Sequence, residues 1–282
     1  MDTLSKVADL RTAISNRRGD RAVGLVPTMG NLHDGHIELV RHCRDRCDIV
    51  VATVYVNPKQ FGPSEDLAAY PRTPEEDAHR LAAAGTDLLF MPDDAAIYPN
   101  GHDGSTTVSV PSLRSELCGE FRPVHFDGVA TVVTKLFNIV QPDMAFFGEK
   151  DYQQLTLLKR LVADLNLPIE VIGVPTIREQ DGLAMSSRNR YLSDEERATA
   201  PTLHRTLMDV VHALQAGAKR LDSLEHTAKV ALRSAGFDVD YVTIRNADTL
   251  AVATEEDRNL RVLAAATLGK ARLIDNVGVE LR

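Results

Sequence analysis

Two histidines three residues apart, His33 and His36, stand in the segment PTMGNLHDGHIELV (27–40), between an apolar run and an amphipathic one. Gly30 and Gly35 permit a tight turn and close backbone approach to a ligand. A helix beginning near Gly35 adds unpaired N–H groups and a partial positive charge, which together favour an anion such as phosphate. Two imidazole N–H groups beside that anion could hold the charge that develops as pyrophosphate leaves. The competing reading is that both rings merely cap or pack the turn, and the residues of this segment alone leave the two open. The segment has neither the G-x-x-x-x-G-K-[ST] of a P-loop nor a G-x-G-x-x-G, so the two commonest nucleotide cradles are excluded.

Three further polar clusters follow apolar runs in the same way: NPKQFG (57–62), GEKDYQQ (148–154) and REQDGLAMSSRNR (178–190). In open α/β sheets ligands bind at the C-terminal edge of the strands, so four clusters in that position point to one composite site. Taken singly, each has a plain structural reading. Lys150 and Asp151 suit an exposed helix start, Ser186, Ser187 and Asn189 suit a polar turn, and Arg122 suits a surface loop.

The elements that must position these residues are legible as alternating short apolar runs and helical patterns over the first ~175 residues, the signature of a parallel sheet with crossover helices. Expected strands are 22–28, 48–56, 86–92, 143–148 and 169–176, whose near-continuous apolar character suits burial on both faces. Thr73-Pro74-Glu75-Glu76 reads as a capping box opening a helix that ends near Gly85. Val129, Val132, Val133, Leu136, Phe137 and Val140 recur at the spacing of a one-sided helical stripe. After about Arg190 the texture changes. A second capping box, Ser193 with Glu196, precedes a long helix over 195–217, a further helix over 221–236 and three clustered strands near 239–246, 261–269 and 271–279. The expectation is a Rossmann-like α/β domain over 1–186 and a smaller α+β lid domain over 187–282.

Apolar residues at 44% and charged residues at 26% describe a globular protein with a sizeable core, and no apolar run of 18 residues suggests a membrane span. The start of the chain lacks a signal-peptide pattern, so a cytoplasmic location is expected. A net charge of −8 counts against a nucleic-acid partner, which needs clustered Lys and Arg. The three cysteines, Cys43, Cys47 and Cys118, have no zinc-type pairing, and the first two are expected to be buried as small apolar residues.

The segment MGNLHDGH resembles the HxGH signature of the class I aminoacyl-tRNA synthetase-like nucleotidyltransferases, and MSSRN resembles their second ATP-binding loop. Within that superfamily, PTMGNLHDGH, VYVNPKQFG, YPRT, LCGEFRPVHFDGVATVV, FFGEKDYQQL and DGLAMSSRNRYLS together are similar to the pantothenate synthetase (pantoate–β-alanine ligase) family. The resemblance implies ATP-dependent activation of (R)-pantoate to pantoyl adenylate with Mg2+, then attack by β-alanine to give pantothenate and AMP. It implies that Met29, Gly30, Asn31, Leu32, His33, Asp34, Gly35 and His36 hold ATP, with His36 as acid catalyst, aided by Gly148, Glu149, Lys150, Asp151, Ile177, Met185, Ser186, Ser187 and Arg188. Gln60 and Gln154 would hold pantoate, and Gln60 would also face β-alanine. Lys150 and Arg188 would place positive charge where the pentacoordinate phosphorus and departing pyrophosphate spread theirs. Arg122 would lie beside the triphosphate, the 181–190 segment would close over ATP, and the protein would be a homodimer. Asn31, Asp34 and Lys59 depart from the common family pattern, and Lys59 is expected to point to solvent.

Overall fold

Apolar runs covered on both faces build a parallel sheet, because no side of such a strand is left for water. The computed structural model describes residues 1–63 and 67–281. Along the chain run β1 (Asp2–Leu4), α1 (Val7–Arg18), β2 (Val23–Thr28), α2 (Asp34–Arg46), β3 (Ile49–Val54), α3 (Pro74–Ala83) and β4 (Leu88–Phe90). There follow α4 (Asp94–Ile97), α5 (Pro111–Arg114), α6 (Cys118–Phe121), α7 (His125–Val140), β5 (Met144–Gly148), α8 (Tyr152–Asp164) and β6 (Glu170–Val174). The six strands pair in parallel in the order β1-β4-β3-β2-β5-β6. All five expected strands are present. β1 is additional: two exposed residues and one half-buried leucine at the sheet edge carry too little apolar pattern to announce a strand.

The strand order reverses at β2, which pairs with β3 on one side and β5 on the other. Such a reversal leaves a crevice beyond the C-terminal ends of the central strands. The turns after β2 and β3 leave the sheet at that edge.

The chain forms two compact units, one of Met1–Glu149 with Leu157–Pro175, the other of Lys150–Thr156 with Thr176–Arg282. In the first, Val26, Val40, Cys43, Val50, Leu81, Leu89 and Phe146 form a fully buried layer between the sheet and α2 and α3. Cys43 and Cys47 are buried in it, and desolvation pushes the Cys43 thiol up, which makes it an inert filler. The α7 stripe is buried, but so are Gly128, Ala130, Thr131 and Ile139, because α7 packs on α1, on β2 and on the 3-10 turn Pro58–Gln60. The expected capping box at Thr73 does not form. Thr73 has φ −129° and ψ 55°, away from the extended geometry that aims a cap, and its side chain makes no cap bond.

The second unit contains α9 (Asp194–Thr199), α10 (Thr202–Gln215), α11 (Leu221–Ser234) and the antiparallel sheet β7 (Asp238–Asn246), β8 (Asn259–Leu268) and β9 (Ala271–Glu280). Ser193 and Glu196 do form their capping box: Ser193 Oγ accepts the Glu196 N–H at 3.2 Å and Glu196 Oε2 accepts the Ser193 N–H at 2.8 Å. The single long helix expected over 195–217 is instead two, because Pro201 has no N–H to continue the ladder. Leu203, Leu207, Val210, Val211 and Leu214 of α10 share a core with Leu232, Val242, Val262 and Ala266. No described helix is long and apolar enough to cross a membrane.

Candidate active site

In the first unit the turn after β2 is held from three sides. Thr28 Oγ1 donates to Thr53 O at 2.7 Å and anchors the strand end. Gly30 then turns with φ +80°, and a Cβ there would come within 3.0 Å of Val54 Cγ1 and 2.9 Å of Asp77 Oδ2. Asp77, 1% exposed on α3, accepts the N–H of Asn31 at 2.9 Å and of Leu32 at 2.8 Å. Arg80, one turn further along α3, donates to Leu32 O at 3.1 Å and pairs with Asp34 at the start of α2.

The two histidines close the turn as a reciprocal cap of α2. His36 Nδ1 accepts the N–H of His33, the N-cap, at 3.3 Å, and the His33 backbone carbonyl accepts the His36 N–H at 2.9 Å. Their ring centroids lie 4.1 Å apart. Capping and anion binding are therefore compatible rather than rival roles. An Nδ1 that accepts a backbone N–H carries no proton, so the proton of a neutral His36 ring sits on Nε2 as a donor.

Gln60 ends the 3-10 turn after β3 and is 6% exposed. Its Nε2 lies 2.9 Å from Met29 Sδ, and its backbone carbonyl lies 3.0 Å from His125 Nδ1. Met29 and Gln60 are thus side by side although 31 residues separate them. Lys59 does not point to solvent. Its ammonium donates to His102 O and Ser105 Oγ, both at 2.9 Å, because the 102–107 loop offers it acceptors in a partly buried place. Gly148 is the last residue of β5, paired with Val174, and Glu149 opens the next 3-10 turn, Glu149–Asp151. Arg122 caps the C-terminus of α6.

In the second unit Lys150 and Asp151 lie 3.9 Å apart, with the Lys150 side chain 20% exposed and that of Asp151 50%. The Lys150 carbonyl is fixed by Asn276 Nδ2 at 2.9 Å. Gln154 is half-buried in the first turn of α8. Residues 177–185 form a small hairpin: Arg178 bridges Ala184, and Met185 N–H donates to Ile177 O at 3.0 Å. Ser186 then caps the 3-10 turn Ser187–Tyr191, its Oγ accepting the Arg188 N–H at 3.2 Å. Arg178 ties the hairpin to β9 through two bonds to Asp275, at 2.7 and 2.9 Å.

Asp77, Asp275 and Asn276 were not among the sequence candidates. Asp77 carried a readable signal: an acid one turn before Leu81 on the buried face of an amphipathic helix needs a polar partner. Asp275 and Asn276 carried none, since their partners lie 97 and 126 residues away. Asp77→Ala should leave two buried N–H groups without acceptors, costing roughly 1–3 kcal/mol for each. A fall of the thermal midpoint together with a raised KM for ATP is the expected result. An unchanged midpoint would show the turn holding its shape without the carboxylate.

No three His, Cys, Asp or Glu side chains among the described residues are grouped as a metal cage. The chain matches the family model described as Pantoate-beta-alanine ligase over residues 2–278. It is 55% identical over 282 residues to a pantothenate synthetase of Azotobacter vinelandii, covering all of both chains. A pantothenate synthetase of Shewanella oneidensis is 53% identical over 278 residues, covering 98% of this chain and 99% of the relative. Among solved structures, pantothenate synthetase from Thermus thermophilus superposes with a TM-score of 0.92 at 47% identity, covering 98% of this chain and 99% of that one. The pantoate-beta-alanine ligase of Francisella tularensis, crystallised with beta-gamma ATP and beta-alanine, gives 0.82 at 32% identity, covering 98% and 97%.

Proposed function

Because the chain belongs to the pantoate-beta-alanine ligase family and so is an enzyme of pantothenate formation, we propose that it works in two steps, by way of a pantoyl adenylate. The pantoate carboxylate attacks the α-phosphorus of ATP in line, forming the mixed anhydride and expelling pyrophosphate. The β-alanine amine then attacks the acyl carbon, forming the amide, and AMP leaves with the electron pair of the broken C–O bond. The substrates of this reading are supported by the Francisella tularensis relative seen with an ATP compound and beta-alanine.

The observation that carries the first step is the reciprocal histidine cap. With Nδ1 of His36 occupied by backbone, the ring presents Nε2–H as a preset donor at a helix N-terminus, where the dipole already favours an anion. The roles proposed are these: the 29–36 turn with Gly148, Glu149, Asp151, Ile177 and the 185–188 segment holds ATP. His33, His36, Lys150 and Arg188 stabilise the departing pyrophosphate, while Gln60 and Gln154 hold pantoate and Gln60 also receives β-alanine. Neutral amides bind pantoate's oxygens without quenching the charge of the attacking carboxylate. Mg2+, which the family resemblance implies, would supply charge neutralisation on the triphosphate. Occurrence as a homodimer rests on the family resemblance, and light scattering measures the oligomer.

Product analysis tests the whole reading. ATP with (R)-pantoate should release pyrophosphate, and β-alanine should then yield AMP and an amide in equal amounts. Formation of ADP and phosphate would overturn the adenylate route.

A further inference from the structure

Beneath Gln60 lies a chain of hydrogen bonds whose direction is dictated at one end. Asn57, 1% exposed, faces three polar groups: Gly128 O at 3.0 Å, Gln60 Oε1 at 3.2 Å and the Tyr98 hydroxyl at 2.8 Å. A backbone carbonyl only accepts, so the Asn57 atom turned toward Gly128 must be the amide nitrogen. The other hydrogen of that nitrogen points at Gln60, which must answer with its oxygen. Asn57 Oδ1 is then left facing Tyr98, whose hydroxyl must donate. The carbonyl of Gly128 decides which end of the Asn57 amide faces Gln60, and the Tyr98 hydroxyl holds the oxygen end of that amide in place. The approach is close because residue 128 has no side chain: a Cβ there would lie 2.3 Å from Lys59 O and 2.6 Å from Gln60 Cα.

Tyr98 is held to its part. It is 2% exposed, its ring carries the edge of His102 at a centroid distance of 4.9 Å, and Lys135 Nζ stands 5.2 Å from its centroid. Burial, with Asp94 nearby, pushes the phenol up, so it stays protonated and able to donate.

We propose that Tyr98 is a positioning residue which, through Asn57, locks the Gln60 amide with its nitrogen outward, so that the substrate atom read by Gln60 is a hydrogen-bond acceptor, a hydroxyl or carboxylate oxygen. An unheld glutamine presents either end of its amide at little cost. Here the oxygen end is occupied from beneath, and the nitrogen end, at present against the weak acceptor Met29 Sδ, is what a ligand meets. This inference rests on the placement of pantoate at Gln60 proposed above.

Tyr98→Phe keeps the ring and its packing and deletes only the donor, leaving Asn57 Oδ1 buried without its bond. Measured by pyrophosphate release, KM for pantoate should rise about tenfold, with KM for ATP and kcat within about twofold of the unaltered enzyme, since one lost hydrogen bond of about 1.4 kcal/mol is a factor of ten. In a Gln60→Ala background the same change should have no further effect on KM for pantoate. Equal rises in both KM values, or an undiminished effect without Gln60, would overturn the proposal as acting through general damage. A neutron structure of the unaltered protein gives a readout free of substrate. Gln60 hydrogens directed away from Asn57 are expected, and hydrogens directed toward it would overturn the proposal. If the unaltered enzyme ignores pantoate while the neutron result stands, the substrate reading fails and the hydrogen-bond relay survives.

Discussion

With His36 replaced by alanine, a single turnover of ATP and pantoate should release pyrophosphate about 100-fold or more slowly, the loss typical of removing one preorganised donor from a developing anion. Two functions disappear in that variant, because His36 both caps the His33 N–H and presents Nε2–H. Glutamine separates them. Gln at the third helical position is an ordinary capping-box partner, so His36→Gln should keep the cap while its donor lies elsewhere. If His36→Gln is as slow as His36→Ala, the donor is the catalytic part. Recovery of the unaltered rate in His36→Gln would reduce His36 to a helix cap. The lost cap itself should cost only about 1 kcal/mol in stability, which urea denaturation measures separately.

The second large effect is one of stability. Asp275 is 3% exposed and accepts both guanidinium bonds of Arg178, with His204 Nδ1 3.5 Å from its Oδ2. Removing one partner of a buried ion pair leaves the other charge uncompensated, so Asp275→Ala should destabilise the second unit by about 3 kcal/mol or more. The damage should reach the 177–185 hairpin, and with it the ATP affinity proposed for the 185–188 segment. A denaturation midpoint shifted by less than about 0.5 kcal/mol would put Asp275 among ordinary surface positions. Acid provides a second check. Burial pushes the Asp275 carboxyl up, but His204 and Arg178 outweigh it and hold the group below the usual carboxylate range. A group with a lowered folded pKa adds stability that is complete above its unfolded value, about 3.9, and is lost as pH falls through the folded one. Below about pH 4 the unaltered protein should therefore lose stability more steeply than Asp275→Ala.

Local rules decided much of this protein. Near-continuous apolar runs at 22–28, 48–56 and 143–148 specified a parallel sheet, since such runs have no face for water. The glycines and histidines of 29–36 specified a tight turn into a capped helix start because their effects act within one turn. Ser193 and Glu196 capped as read, their bonds spanning three residues. Thr73 failed because a cap also needs a backbone angle that its neighbours do not set, and Pro201 split a helix whose apolar periodicity ran straight through it.

What the tertiary structure alone decided is orientation. Sequence named the histidines, Gln60 and Lys150. That Asp77 grips the Asn31 and Leu32 N–H groups, that Asn276 holds the Lys150 carbonyl, and that Gly128 sets the direction of Gln60 through Asn57 all depend on partners 45 to 126 residues apart. A side chain's chemistry is written in its type, and its neighbours in sequence often show which element carries it. Which of its atoms donates, and toward what, is settled only when buried polar groups from distant segments must satisfy one another in the absence of water.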